Sequence, residues 1–481
     1  MEKKNIIWRG IGGVLVVAQA VISVMLMASL INTGIVAGWI VAVVGVALAA
    51  LLILNIVMLV IRKETGVVMR IICAVISLIC IIGGVFALRY TDAFNEFLGK
   101  VTAQKPEMKQ YSVIVLNDSK YNDINDLKNK SVGFLKTDPK AMSAEQYLQA
   151  KVKIEAGFYE DTQVMAEMLG TGLIDAITLE TDRLEMLKEE SQDIAEKTKV
   201  IYTFEIELDG EAMEASNKEL TTEPFVVYIS GSDSRAGVKA TARSDVNIIA
   251  AVNPKEHKIL LVTIPRDMYV QLHGTTGIKD KLTHAGVYGI NMSKSTIEDF
   301  LGIKIDHMIK VSFETVVKVV DQLDGIEINS DQAMRLTTNG KTCEYVVGLQ
   351  HVDGDCALRF ARERKSYETG DRHRGENQQA VITSIIDKLS SSRNYLLKVP
   401  EILNIAADSF ETTFERDDIT AFVREQLTNP AKWQVESIQV DGTGAYEPTY
   451  SMGANLPLYV MIPNEATVVN ATNKINECLE K

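Results

Sequence analysis

Five arginines lie within sixteen residues of a chain whose formal net charge is −13. They belong to the segment "ALRFARERKSYETGDRHRGENQQAVI", residues 357–382, and are Arg359, Arg362, Arg364, Arg372 and Arg374. Arginine presents a planar fork of donors that matches phosphate oxygens and remains charged at any working pH. Residue type alone leaves two interpretations, a solvated surface run or a site built for an anion.

Helical spacing favours the anion site. Asp371, Arg374 and Gln378 are separated by three and four residues, so one face of a helix carries all three. The same face continues with apolar residues, which are Val381, Ile382, Ile385 and Leu389. Because an apolar face packs against its domain, we expect Arg374 to point inward, where a buried charge needs a compensating anion.

Arg362 and Arg364 add a constraint on the backbone. Residues two positions apart lie about 200° apart on a helix but on the same side of an extended chain. If both arginines serve one site, the helix has to end near Ala361. Too few carboxylates lie nearby to pair all of these arginines, and a bound phosphate would supply the missing negative charge.

Three further charged groups lie beside strand-like segments. They are Asp233 in "GSDSR", Arg243 and Asp245 in "RSD", and Arg266 and Asp267 in "PRD". Open α/β sheets place their sites beyond the ends of such strands. Since Mg²⁺ is bound by one or two carboxylates together with phosphate oxygens, Asp233 and Asp245 are candidate metal ligands, with surface or capping roles as the alternative for each.

A sheet has to position these groups. "FVVYIS", "VNIIAAV" and "ILLVTI" read as strands, the last two joined by a turn at Asn253-Pro254. Helical and strand-like segments then alternate, and Ser295 and Glu298 have the spacing of a capping box at a helix start. This alternation predicts helices on both faces of a sheet, an α/β/α sandwich.

Three apolar runs, about 10–31, 36–61 and 71–88, precede these segments. Each approaches the roughly 20 residues that span a bilayer. Lysines and arginines precede the first run and separate the second from the third. This pattern predicts a multi-pass membrane protein with a cytoplasmic N-terminus and with everything after Arg89 outside the cell.

Residues 98–215 alternate short strands and helices. Segments such as "DINDLKNKSVGF" resemble about half of an extracellular solute-binding protein. We expect an accessory α/β domain that serves as a scaffold or partner-docking module rather than as a complete solute receptor.

Composition and motifs exclude several classes of function. The acidic balance argues against non-specific nucleic-acid binding, and HExxH, GxSxG and P-loop motifs are absent from the sequence. The six histidines are scattered; His284 either lines the site or is an ordinary core or surface residue. Cys343 and Cys356 are either bridged outside the cell or free.

Taken together, the motifs resemble those of the LytR-CpsA-Psr family of cell-wall glycopolymer ligases, particularly the capsule-type members with three spans and an accessory domain. The matching segments are "GSDSR", "RSD", "IPRD", "KLTHAGVYG", "VDQLDGIEI", "ALRFARER" and "GDRHRGENQQ". The resemblance implies a catalytic domain over residues 222–481, after a membrane region over 1–97 and the accessory domain. It also implies that a polyprenyl pyrophosphate lies in a hydrophobic channel with its head group over arginines and magnesium.

Carried over to this chain, the resemblance implies roles for individual residues. The pyrophosphate would be bound by Arg243, Arg266, Arg362, Arg364, Arg374 and Gln378, and Mg²⁺ or Mn²⁺ by Asp233 and Asp245. Catalysis would involve Arg266, Asp267, Asp371 and Arg374. Asp371 would orient the arginines or take part in proton transfer, and Asp267 and Asp371 are the two candidate bases. Many members have another arginine where this chain has Asn377.

The implied reaction attaches capsular polysaccharide from an undecaprenyl pyrophosphate carrier to peptidoglycan, at the outer face of the membrane in a Gram-positive-type envelope. The implied partners are the lipid-linked polysaccharide, the peptidoglycan acceptor, the bilayer and capsule export proteins, without nucleic acid. Two alternatives remain open at this point. One is hydrolysis of the same lipid, and the other is a non-enzymatic regulator or scaffold of capsule synthesis.

Overall fold

The computed structural model of the protein begins with three long helices. The residues that it describes are 2–62, 65–102, 107–190, 192–208, 216, 218–232, 241–338, 340–368, 370–391 and 410–480. The three helices are α1 (Glu2–Thr33), α2 (Gly38–Asn55, continued by a π-helical segment over Ile56–Ile61) and α3 (Val67–Val101). All three are long and apolar enough to cross a membrane, as predicted.

Helix α3 extends beyond its predicted span because its last turns have a second apolar face. Phe94, Phe97, Leu98 and Val101 are buried there. They pack against side chains of a much later helix, among them Val423. The spacing of these residues is helical and is visible in the sequence, but their partner is not.

The first α/β unit contains one five-stranded sheet. Its elements are β1 (Met108–Leu116), β2 (Ser131–Leu135), α4 (Ala141–Lys151), β3 (Glu155–Tyr159), α5 (Thr162–Gly170), β4 (Ala176–Glu180), α6 (Thr181–Glu190), α7 (Gln192–Lys197) and β5 (Thr198–Glu207). The strand order is β3-β2-β4-β1-β5, in which β2 runs parallel to both neighbours and β1 antiparallel to both.

The second α/β unit is built on a six-stranded sheet with the order β16-β11-β6-β7-β8-β17. Its strands are β6 (Phe225–Ser232), β7 (Val246–Asn253), β8 (Lys258–Thr263), β9 (Tyr269–Val270), β10 (Asp280–Lys281), β11 (His307–Ser312), β12 (Ile326–Ser330), β13 (Met334–Thr338), β14 (Lys341–Tyr345), β15 (Gly348–Val352), β16 (Phe410–Thr412), β17 (Gln434–Gln439), β18 (Gly442–Thr449) and β19 (Gly453–Pro463). Its helices are α8 (Leu282–Ala285), α9 (Ile290–Leu301), α10 (Phe313–Gln322), α11 (Gly354–Arg362), α12 (Asp371–Ser391), α13 (Arg416–Thr428) and α14 (Glu465–Leu479).

Side chains alternate between the two faces of this sheet, as the period of two along a strand requires. On one face, Val226 and Tyr228 pack with α9 and α14. On the other face, Phe225 and Val227 pack with Ile382 of α12 and other apolar residues. Helices cover both faces, so the predicted α/β/α sandwich is confirmed.

The predicted start of helix α9 at Ser295 is wrong. The helix begins at Ile290, and Ser295 lies in its interior. The backbone N–H of Ile290 donates to the Glu107 carboxylate over 3.1 Å, and Glu107 also pairs with Lys310 at 2.8 Å. A carboxylate at a helix N-terminus satisfies orphan N–H groups, but here it comes from a residue 183 positions earlier in the chain.

The structure answers the open question about Cys343 and Cys356. Cys343 on β14 and Cys356 on α11 form a disulfide, with Cα atoms 5.6 Å apart. The bridge ties the β13–β14 hairpin to α11, the helix that ends at Arg362. It therefore restrains one of the elements that carry the predicted site.

Candidate functional site

The register of the second sheet brings the predicted charged groups to one edge. Gly231 at the end of β6 pairs with Val246 at the start of β7, and Ile248 of β7 pairs with Thr263 at the end of β8. Segments 243–245 and 265–267 therefore leave the sheet side by side. Strand β11 is parallel to β6 and ends beside it, with Ser312 opposite Ser232.

Arg266 lies at the centre of an ion-pair network on this edge. Its Nη1 donates to Asp245 over 2.7 Å, and its Nε lies 3.7 Å from Asp267. The other oxygen of Asp267 lies 3.3 Å from Lys281. All four side chains are partly or largely buried. The electrostatic attraction within these pairs is therefore stronger than in exposed ion pairs.

Arg243 reaches a partner in the first α/β unit. Its two terminal nitrogens donate to the two carboxylate oxygens of Glu189 on α6, over 2.7 and 2.9 Å. These hydrogen bonds, with the charges of Arg243, Arg266 and Lys281, hold the pKa of Glu189 below its ordinary value. A second acid of α6, Asp182, has its pKa raised to about 7 by burial.

Sequence reasoning missed Glu189 and Lys281. Lys281 begins the quoted motif "KLTHAGVYG", and its position at a strand end was a usable signal. Glu189 carries no local signal, because it lies on an acidic helix of a different unit, 54 positions from Arg243.

Helix α11 ends at Arg362, and Glu363 is extended. The predicted departure from the helix is therefore confirmed, one residue after Ala361. The guanidinium carbon of Arg362 lies 4.7 Å from the ring centre of Phe313, which follows β11 at the same sheet edge. Arg362 and Arg364 are both exposed.

Helix α12 brings its first turn to the end of β8. A Cβ placed on Gly375 would lie only 3.0 Å from the Thr263 methyl group, so glycine permits this close approach. Arg374 is half-buried, and Gln378 and Val381 are buried, as the predicted helix face requires. Asp371 is the first residue of α12, and its side chain lies outside the described part of the structure.

Asn377, the departure from the family pattern, has a structural role. It is buried, and its amide nitrogen donates to the Phe360 carbonyl oxygen over 3.0 Å. This bond links α12 to α11, so the asparagine fixes the two arginine-bearing helices relative to one another.

His284 is buried in a polar network between the two α/β units. Its Nδ1 lies 2.6 Å from Asp280, and the other Asp280 oxygen accepts from the backbone N–H of Ser451 over 2.8 Å. Arg183 of α6 donates to the Ser451 carbonyl and, over 3.1 Å, to Tyr288. His284 therefore lies three residues after Lys281, the last residue of strand β10, but its side chain is engaged in contacts between the two units.

The predicted metal ligands are described only in part. Asp233 lies outside the described residues. Asp245 offers a carboxylate whose side chain is 18% exposed, at the edge where a phosphate would bind. Among the described residues no group of three or more acidic, histidine or cysteine side chains forms a metal cluster. One carboxylate with phosphate oxygens and water is a donor set that suits Mg²⁺.

Comparison with known proteins identifies the family. The model of the LytR_cpsA_psr family matches residues 182–468. The chain belongs to this family. It is 33% identical over 224 residues to the polyisoprenyl-teichoic acid–peptidoglycan teichoic acid transferase TagU of Enterococcus faecalis, covering 46% of this chain and 71% of that protein.

Two further similarities accompany this match. TagU of Bacillus mycoides is 31% identical over 260 residues, which cover 54% of this chain and 80% of the relative. The crystal structure of B. subtilis TagV is 27% identical, covers 54% of this chain and 98% of its own, and has a TM-score of 0.45.

In this LytR_cpsA_psr member, the sheet edge can bind an anion and stabilise charge that develops on it. Arg243, Arg266 and Lys281 come from three separate segments and act on one carboxylate. Cations fixed in advance around a partly buried site stabilise a charged transition state without reorganising.

Proposed function

We propose that this protein transfers a phosphate-linked glycopolymer from a polyprenyl pyrophosphate carrier to a hydroxyl group of peptidoglycan. The observation that carries the proposal is the convergence of Arg243, Arg266 and Lys281 at one sheet edge, with Arg374 on the helix that abuts the same edge. Membership of the family and the teichoic acid transferase activity for which the two TagU relatives are named support it.

The chemistry is a displacement at phosphorus. The acceptor hydroxyl oxygen attacks the phosphorus atom next to the sugar and forms a new P–O bond. The bond from that phosphorus to the bridging oxygen breaks, polyprenyl phosphate leaves, and the hydroxyl proton passes to a base. Because the anhydride is already activated, the protein has mainly to position the two reactants and stabilise charge on the phosphoryl oxygens.

Asp267 fits a positioning role in this scheme. One of its oxygens faces Lys281 and the other faces Arg266. A carboxylate whose two oxygens each face a cation orients those cations. We therefore assign Asp267 to holding Arg266 and Lys281 towards the substrate, and leave Asp371 as the candidate base.

A divalent cation suits the same edge. Asp245, together with Asp233, would hold Mg²⁺ or Mn²⁺, which when bound supplies positive charge to the diphosphate oxygens. Arg266 already donates to one Asp245 oxygen, so arginine and metal would share this carboxylate.

For the polymer we propose a capsular polysaccharide on undecaprenyl pyrophosphate. Support comes from the three apolar helices and the first α/β unit, on which the resemblance to capsule-type members rests. The relatives named for teichoic acid match only 46% and 54% of this chain.

We also propose that the second α/β unit lies at the outer face of the membrane. Arg424 of α13 donates to the carbonyl of Gly34, in the loop between α1 and α2, over 3.1 Å. This contact supports placing that loop and the second unit on the same side of the membrane, with the N-terminus on the other side.

The test supplies full-length protein with labelled undecaprenyl pyrophosphate oligosaccharide, Mg²⁺ and peptidoglycan. We expect label in the wall fraction, and we expect Arg374→Ala to reduce it by about 10²-fold or more, the scale of losing a charge-stabilising group. Arg359→Ala is the control, because Arg359 pairs with Asp355 at 3.2 Å and donates to the Thr338 carbonyl.

The other outcomes separate the alternatives. Soluble sugar phosphate without wall label would make the protein a hydrolase. Tight lipid binding without turnover would make it a scaffold. A parallel assay with a teichoic acid precursor decides between the two polymers.

A further inference from the structure

Glu189 of the first α/β unit pairs with Arg243 of the candidate site. Nη1 of Arg243 donates to one Glu189 oxygen over 2.7 Å, and Nη2 donates to the other over 2.9 Å. Two parallel bonds from one guanidinium are also the way in which arginine holds a phosphate group. Glu189 therefore presents to Arg243 the pair of oxygens that a phosphate would present.

The surrounding positive charges stabilise the ionised form of the Glu189 carboxyl group. Besides the hydrogen bonds from Arg243, the positive charges of Arg266 and Lys281 lower the pKa of this carboxyl. These cations come from the segment before β7, the segment after β8 and strand β10. In the described structure, the Glu189 carboxylate occupies the two terminal nitrogens of Arg243, whose segment leaves the sheet beside that of Arg266.

Helix α6 is anchored, whereas its end is open to solvent. Arg183 is fully buried and donates to Ser451 and Tyr288 of the second unit. Leu184 and Leu187 are buried in a core that the two units share. The Glu189 side chain, by contrast, is 56% exposed, one residue from the end of α6. The carboxylate can rotate away while the helix stays in place.

We propose that Glu189 competes with the pyrophosphate group for Arg243, so that the first α/β unit closes the anion site until a polyprenyl pyrophosphate displaces the carboxylate. A diphosphate carries more negative charge than one carboxylate and offers oxygens to Arg266 and Lys281 as well. It therefore binds Arg243 in place of Glu189. The inference rests on the proposed function, because it takes Arg243 and Arg266 as pyrophosphate-binding residues.

Glu185 provides a matched control. It lies on the same face of α6, four residues before Glu189, and its side chain is 53% exposed. Its carboxylate lies 3.4 Å from Lys188 on the same helix. Glu185→Gln therefore removes the same charge from the same face without touching Arg243.

The experiment measures binding of inorganic pyrophosphate to the full-length protein in detergent by titration calorimetry. We expect Glu189→Gln to tighten binding by about tenfold, since it removes both the competitor and a like charge. Glu185→Gln is expected to bind as the wild type does. Unfolding temperatures of both variants verify that the fold is unchanged. In the transfer assay, Glu189→Gln should lower KM for the lipid substrate and leave kcat unaltered.

Binding by Glu189→Gln that equals or falls below the wild-type affinity would overturn the inference, and weaker binding would show that Glu189 holds Arg243 ready for substrate. Arg266→Ala distinguishes this failure from that of the proposed function. If pyrophosphate binding depends on Arg266 but not on Glu189, only the proposed competition by Glu189 is wrong. If binding is unaffected by Arg266→Ala, or if neither the wild type nor Glu189→Gln binds, both proposals fail.

Discussion

Arg266 is the residue on which the candidate site depends most. It contacts Asp245 and Asp267, and its charge acts on Glu189. We predict that Arg266→Ala reduces transfer by roughly 10²- to 10³-fold, because the proposed phosphate site loses a fixed cation. Arg266→Lys keeps the positive charge but loses the planar guanidinium that donates two parallel hydrogen bonds. It should retain part of the activity.

The fold should survive the Arg266 substitutions, since Asp267 keeps Lys281 as a partner. Circular dichroism and unfolding temperature measure this directly. Loss of folded protein in both variants, at unchanged specific activity of the folded fraction, would show that Arg266 belongs to a structural ion network instead.

The sequence predicted part of this residue-scale picture. The helix face with Arg374 and Gln378 follows from spacing, because both the charge and the apolar stripe lie within one element. The pairing of Arg243 with Glu189 could not be predicted, because it depends on how two units that are distant in the sequence pack together. Arg266 was a candidate site residue because it follows a predicted strand. Its partners could not be predicted, because they depend on the register of that strand with its neighbour.

At the scale of elements, strands β6, β7 and β8 were predictable because apolar residues and turn signals are local. The start of α9 was not, since its capping carboxylate, Glu107, comes from outside the second unit. The disulfide was left open for a similar reason. Whether Cys343 and Cys356 meet depends on how β14 and α11 pack, and spacing alone does not decide it.

Strand β11 contains a buried histidine, His307, that makes the stability of the protein depend on pH. His307 is stacked on Phe414, with ring centres 4.3 Å apart, and meets Phe225 edge-on. Burial lowers its pKa from the ordinary 6.5, although Asp306, which also pairs with Lys218, opposes this shift. The folded protein therefore holds His307 neutral where the unfolded chain protonates it.

The stability that His307 contributes is present above pH 6.5 and is lost as pH falls towards the lowered pKa. We predict a loss of stability between pH 6.5 and 5.5, at most about 1.4 kcal/mol per pH unit for one group, that His307→Phe removes. Unfolding temperatures across this range measure it, with His273→Gln, a change at an exposed histidine, as the control. An identical pH profile for the wild type and His307→Phe would contradict the prediction.

Across the whole molecule, helix α13 fixes the second unit against the membrane helices. Its Val423 packs with Ile35 and with Phe94 and Phe97 of α3. We predict that Val423→Asp lowers transfer from a lipid-linked substrate several-fold, because a charge in this contact is costly and loosens the unit from the bilayer. Binding of inorganic pyrophosphate should be unchanged. Val469→Asp, at an exposed valine of α14, is the control.

A buried charge network joins the two α/β units. Lys109 and Arg183 of the first unit flank the buried carboxylate of Glu180, and Arg183 continues to Ser451 and Tyr288 of the second unit. Removing one partner from a buried charge network is costly, because the remaining groups stay desolvated and lose their pairing.

We therefore predict that Arg183→Met lowers the free energy of unfolding by about 3 kcal/mol or more. Arg335→Met should cost below about 1 kcal/mol, since Arg335 forms an exposed pair with Glu344. Thermal unfolding and hydrogen exchange of α6 measure both effects. If α6 undocks, Glu189 leaves Arg243, and pyrophosphate binding should tighten even as the protein loses stability. A variant that is less stable and also binds pyrophosphate more weakly would show that docking of the first unit builds the anion site instead of closing it.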